Sequence, residues 1–182
     1  MGEYVTKKED MKFQSQDALK PVQAVIDEAD KVLNDKSLRI EDSAISGALT
    51  GALGAGAGGA LGFAGLYFGG SVVGLSAAGI TSGLAAAGSL VGGGMAAGLA
   101  VLAAPAVVLG VIGAAIGAAS EGEKLREAKE LVYKNAVAKQ TAILEVLVFE
   151  TEKDKERIDY LTAINNLLEA AIKDLEHDLG VA

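Results

Sequence analysis

SAISGALTGALGAGAGGALGFAGLYFGGSVVGLSAAGITSGLAAAGSLVGGGMAAGLAVLAAPAVVLGVIGAAIGAAS, residues 43–120, runs for 78 residues without an Asp, Glu, Lys, Arg or His. All 24 acids and all 16 bases of the 182-residue chain lie outside it. A soluble domain carries about a quarter of its residues as charges, spread along the chain. A gap of this length is ordinary where the surroundings are lipid. Of the 78 residues, 43 are Gly or Ala, and Leu, Val and Ile make up most of the rest. Those aliphatics separate the block from a flexible Gly/Ser linker. The absence of short regular repeats separates it from silk-like stacking.

Glycines recur at a spacing of four: Gly47/Gly51, Gly54/Gly58/Gly62, Gly65/Gly69, Gly70/Gly74, Gly79/Gly83, Gly88/Gly92, Gly94/Gly98 and Gly113/Gly117. On a helix this spacing leaves a groove without side chains, into which a second helix backbone packs closely. In water the same glycines cost about 1 kcal/mol each relative to alanine. Any single pair is also what chance produces in so glycine-rich a block. The block is long enough for three spans of about 25 residues or four short ones, at roughly 20 residues per crossing. Breaks at Gly69-Gly70-Ser71 and Gly92-Gly93-Gly94 favour three. Flanking bases point elsewhere. Lys31, Lys36 and Arg39 precede the block, and Lys124, Arg126, Lys129 and Lys134 follow it. Positive charge at both ends predicts cytoplasmic arms and an even number of spans. Residues 95–119 are rich in Val, Leu and Ile and insert readily, whereas residues 71–94 are mostly Gly, Ala and Ser and need protein neighbours. Pro105 predicts a kink.

The arms are polar and acidic. Residues 1–42 hold 7 bases and 10 acids, and residues 121–182 hold 9 bases and 14 acids, which gives −3 and −5 and the total of −8. This balance argues against general nucleic-acid binding, which needs a basic surface. Within Asp17 to Leu33, Val22, Val25, Ile26, Ala29, Val32 and Leu33 form one apolar helix face, with Pro21 in the first turn. Asn34 to Ser37 reads as a break, after which helix resumes through Leu38 and Ile40. In the C-terminal arm, Leu125, Ala128, Leu131, Val132, Ala136, Ile143, Val146 and Leu147 form one stripe. Ile158, Leu161, Ile164, Leu168, Ile172, Leu175 and Leu179 form another. Between them, Glu150 to Glu156 has no aliphatic residue, which fits either a turn between two helices or the wet middle of one helix about 88 Å long. Gly180 is a natural stop. The second stripe, through Ile158, Leu161, Leu168, Ile172 and Leu175, should bury itself against another helix, of the same chain or of a neighbour, and is the candidate subunit contact. Asn165 and Asn166 lie beside it, where a buried Asn would fix register.

Chemistry is sparse. There is no cysteine, so disulfides, thiolate metal sites and cysteine nucleophiles are excluded. Gly54-Ala55-Gly56-Ala57-Gly58-Gly59 spells G-x-G-x-x-G, but no strand precedes it and no acid follows before Glu121. His177, the only histidine, is read as an exposed side chain near a helix end rather than as a metal ligand or pH sensor. Nothing places two carboxylates in a pocket. No catalytic residue, metal site or cofactor is expected, and the protein is not read as an enzyme. The hydroxyls of the apolar block are more informative. Ser43, Ser46 and Thr50 share a helix face, as do Ser82 and Ser89, with Thr81 adjacent. In lipid such groups bond their own helix, join helices, or line a wet path. The first ten residues are polar and show no secretory signal.

From Gly74 to Ala97 the chain reads GLSAAGITSGLAAAGSLVGGGMAA. This segment resembles the small hydrophobic interferon-inducible membrane proteins, whose Gly/Ala/Ser-rich region carries an S-A-G-I-x-S beat. The counterpart here is Ser76-Ala77-Ala78-Gly79-Ile80-Thr81-Ser82, with one extra Ala. The resemblance implies a membrane protein that alters cell or organelle permeability. Two amphipathic arms around an apolar segment also look like helical pore-forming toxins.

The expected fold is all-α: a glycine-zipper transmembrane segment over 43–120, a polar arm over 1–42 with one amphipathic helix, and a coiled-coil-like helical arm over 121–182. The expected activity is that of a homo-oligomeric effector integral to a lipid bilayer, forming a channel or pore. A non-conducting membrane scaffold is one alternative. A soluble helical assembly that inserts only when triggered is the other. The helix-packing positions are Gly47, Gly51, Gly54, Gly58, Gly62, Gly79, Gly83, Gly88, Gly92, Gly113 and Gly117. Ser43, Ser46, Thr50, Thr81, Ser82 and Ser89 are the candidate pore-lining residues.

Overall fold

The apolar face of the first arm becomes helix α1, Lys20–Asn34, with Pro21 in its first turn. Val22, Val25, Ile26, Ala29 and Val32 are all buried. Asp35 ends the helix by turning its carboxylate onto the Ser37 N–H (2.8 Å) and hydroxyl (2.6 Å). Helix does not resume at Leu38 as expected. A single 3-10 turn, Ile40–Asp42, forms instead, and Asp42 accepts the Arg39 N–H at 3.0 Å. A short polar carboxylate at that position competes with helix continuation by bonding its own backbone.

In this computed structural model residues 4–55, 62–69, 120–150 and 154–181 are described. Four further helices complete the set among these residues: α2 (Ser46–Ala55), α3 (Phe63–Gly69), α4 (Glu121–Phe149) and α5 (Lys155–Leu179). No strand occurs among them. The C-terminal arm is a hairpin of two helices, not one long rod. Ser120 opens α4 with a capping box, its Oγ accepting from Glu123 N–H while Glu123 reaches back to the Ser120 N–H. Asp154 opens α5 by accepting the Arg157 N–H at 3.0 Å. Gly180 closes α5 at φ 64°, a left-handed conformation that suits glycine, and Val181 N–H bonds back to the Glu176 carbonyl.

Helix α5 touches each of the other four helices. Its buried surface is correspondingly broad: Tyr160, Leu161, Ala163, Ile164, Leu167, Leu168, Ala171 and Leu175 have no exposed surface. Ile158 is half-buried and Ile172 buried. The stripe assigned above to subunit contact is thus enclosed within one chain, packed on α1, α2, α3 and α4.

The compositional boundary at Ser43 is not a packing boundary. Ile45, Ala48, Leu49, Ala52, Phe63, Leu66 and Tyr67 belong to the same core as the arms. The reason is volume. Leu49, Phe63, Leu66 and Tyr67 supply large side chains that fill the space beside α5, and Phe63 stacks at 5.4 Å on Tyr67. Among the described residues no helix is long and apolar enough to cross a membrane. The proposed glycine zipper beyond Gly69 lies outside the described residues.

Candidate functional site

Four polar side chains of α5 hold backbone groups of other segments; Arg157, in the first turn, donates to the Asp35 carbonyl at 3.3 Å, and the other three lie further along. Asn166 Nδ2 donates to the Ala52 carbonyl at 3.1 Å, near the end of α2. Asp174 Oδ2 accepts the Phe63 N–H at 2.7 Å, where α3 begins. Asp178 accepts the Lys12 N–H at 2.7 Å and the Phe13 N–H at 2.9 Å, so it grips the segment that precedes α1. At about 100° per residue, positions 166, 174 and 178 fall within one third of the helix circumference. One face of α5 therefore holds both apolar helices and the leading segment.

Asp178 also pairs with Lys129 of α4 at 2.8 Å, and neither side chain has exposed surface. Burial alone would raise its carboxyl. The Lys129 ammonium, the two backbone donors and His177 outweigh that and hold it below the ordinary carboxylate value. His177 itself is half-exposed, with Nδ1 3.2 Å from Asp178, close to the exposed reading of the sequence. Tyr4 lies over Arg126 and Lys129, its ring centroid 5.2 and 5.6 Å from their cationic groups. Phe13 is buried, with its ring 6.1 Å from that of Phe63.

A second polar cluster joins α1 to α5. The buried Tyr160 hydroxyl donates to the buried Glu28, and Lys31 pairs with Glu28 at 3.0 Å. Burial and then the Glu28 contact push the Tyr160 phenol well above its usual range, so it stays a neutral donor. Among the described residues, no group of three or more His, Asp or Glu side chains is placed to hold a metal.

The glycine and hydroxyl positions separate. Gly47 and Gly54 are exposed and Gly51 is half-exposed, on the outer side of α2 rather than at a helix crossing. The inner side of α2 carries Ala48, Leu49 and Ala52, whose side chains fill the core as glycine cannot. At Gly54 an added Cβ would meet nothing within 4 Å, whereas at Gly62 it would stand 2.9 Å from Asp174 Oδ2. Ser43 is buried and its Oγ accepts the Ile45 N–H, while Thr50 is exposed and bonds back to the Ser46 carbonyl. The Ser43 and Thr50 hydroxyls thus bond to backbone groups of their own segment, and Ser46 is half-buried. Gly58, Gly79, Gly83, Gly88, Gly92, Gly113 and Gly117, with Thr81, Ser82 and Ser89, lie outside the described residues. The sequence reading missed Lys129, Asp178, Asp174 and Glu28, because charges on amphipathic helices ordinarily face solvent.

Two substitutions separate these environments. Gly54→Ala should stabilise the fold by up to about 1 kcal/mol, because its Cβ meets nothing within 4 Å and helix propensity improves. Gly62→Ala should destabilise by about 1 kcal/mol by displacing Asp174 from the Phe63 N–H. Urea unfolding of both variants checks the contrast, and opposite signs are the expected result.

The fold and these contacts define an all-helical body whose central helix grips the leading segment and the start of a charge-free block. Compared with protein-family models, characterised proteins and solved structures, the chain matches none.

Proposed function

We propose that the chain is an oligomeric membrane effector in which this body anchors a two-span apolar hairpin that makes the bilayer permeable. The observation that carries the proposal is the position of the ends. Helix α3 closes at Gly69 and α4 opens after Ser120, and both pack on α5 in one core. Between them lie residues 70–119, 50 residues without a charge. Ends held by one body emerge on the same side of a bilayer, so the crossings must be even in number. At roughly 20 residues each, 50 residues supply two. An even number also agrees with the bases that flank the block, and helices α2 and α3, from the first part of the block, pack on α5. The remaining break, Gly92-Gly93-Gly94, divides 70–119 into near-equal halves. The marginal half, 71–94, gains neighbours when copies assemble. The glycine pairs Gly79/Gly83, Gly88/Gly92 and Gly113/Gly117 then become the contacts between helices.

The absence of native cysteine makes topology directly testable. Single cysteines replacing the exposed Ser15 and Thr141 should label from one face of sealed vesicles, and a cysteine replacing Gly93 from the other. Vesicles bearing the chain should also release a small trapped dye. Labelling of Ser15→Cys and Thr141→Cys from opposite faces would exclude the hairpin. Correct labelling without dye release would favour the non-conducting scaffold.

A further inference from the structure

We propose that residues Tyr4–Phe13 are a latch that holds α3 on the body and so restrains the charge-free segment that follows it, a form of regulation that rests on the membrane reading above. The latch has three fastenings, which together draw on α3, α4 and α5. At its far end, Tyr4 covers Arg126 and Lys129 of α4, and the Val5 N–H bonds the Asp178 carbonyl at 3.1 Å. In the middle, the Asp178 carboxylate takes the Lys12 and Phe13 N–H groups. At its near end, Phe13 is buried beside Phe63, the first residue of α3.

Regular structure contributes little to this hold. Apart from one 3-10 turn, Lys8–Asp10, the latch has no helix of its own, and no residue of that turn is buried. Its attachment therefore depends on the buried carboxylate and two aromatic side chains. Such a segment opens at lower cost than the helices beneath it. Helix α3 has only seven residues, too few to persist alone, and its root is held by Phe13 and Asp174. Loss of the latch removes the Phe13 ring from Phe63 but leaves the Lys129–Asp178 pair in place. The body should then survive while α3 loosens. Gly70, the first residue of the stretch 70–119, directly follows α3 in the sequence.

The test compares the full chain with a variant lacking residues 1–13 and with Phe13→Ala, by hydrogen exchange and by dye release from neutral phosphatidylcholine vesicles. The expected result is that both variants exchange faster at α3 while α4 and α5 stay protected, and that dye release rises about tenfold. Unchanged exchange at α3 in both variants would overturn the latch whatever the vesicles do. Faster exchange at α3 with release no greater than that of the full chain would also overturn it, since the segment would restrain nothing. If no form of the chain ever associates with vesicles, the membrane reading fails, and the exchange data identify that outcome separately. Phe13→Ala keeps every backbone bond of the latch available, so collapse of the deletion variant would not remove the test.

Discussion

Leu168→Asp should abolish cooperative folding of the body. Leu168 has no exposed surface and lies in the middle of α5, the helix that touches all the others. Truncation of such a leucine to alanine costs about 2–5 kcal/mol. Aspartate adds the cost of a buried carboxylate, several kcal/mol more unless it is protonated. Whole domains are stable by only about 5–15 kcal/mol. From the sequence alone the expectation differs: Leu168 packs on a helix of the same chain or of a neighbour, and the substitution abolishes oligomers and conductance together while the chain still reaches the membrane. Burial of the seam within one chain changes the expected readout from oligomer size to helicity. Val148→Asp is the control, because Val148 is 78% exposed near the end of α4, beside Phe149 at 83%. It should move stability by no more than about 0.5 kcal/mol. Circular dichroism through a urea titration separates the two. A Leu168→Asp protein that melts with the wild-type midpoint would place the core somewhere other than around α5.

What the sequence discloses follows from which signals are local. The face Val22, Val25, Ile26, Ala29, Val32 is a spacing, and α1 appears where that spacing lies. The stop at Gly180 is a single-residue conformational preference and is equally legible. The interval Glu150 to Glu156 is ambiguous because a polar turn and a wet stretch of helix have the same composition. Asp154, which caps α5, was the local clue to the turn, as Ser120 and Glu123 were to the start of α4. Composition misleads most across residues 43–69. They carry no charge, like the 50 residues after them, yet α2 and α3 within them belong to the body. One difference was visible: Phe63, Tyr67 and Phe68 are the only aromatic residues between Ser43 and Ser120. Bulky rings fill a core beside α5, and the segment from 70 to 119 has none. The contacts that hold the site are not local at all. Lys129 and Asp178 are 49 positions apart, and only the hairpin brings them together. In retrospect each sits inside an apolar stripe, Lys129 between Ala128 and Val132 and Asp178 between Leu175 and Leu179.

Lys129→Met should be strongly destabilising. It leaves the Asp178 carboxylate without surface exposure and without its cation. Breaking a buried pair from one side typically costs about 3–5 kcal/mol. The two backbone N–H groups of Lys12 and Phe13 still reach Asp178, which sets the loss toward the lower end of that range. Lys129→Met with Asp178→Asn should recover part of the loss, because the neutral amide oxygen can still accept from the leading segment and no charge remains buried. The pH dependence carries a definite sign. Asp178 is held below its ordinary value in the folded protein, so its contribution is complete above the unfolded carboxylate pKa and is lost as pH falls through the lower folded value. Mild acid, to about pH 5, should therefore leave this contact intact, and a trigger acting through it would have to be something other than a modest drop in pH. Unfolding free energies of the wild type, the Lys129→Met protein and the double variant, each at neutral pH and in mild acid, test both statements. If Lys129→Met matches the wild type at neutral pH, the ammonium does not neutralise Asp178. If the wild-type protein loses stability between neutrality and mild acid while the double variant does not, Asp178 titrates higher than its surroundings require, and the contact is weaker than its geometry implies.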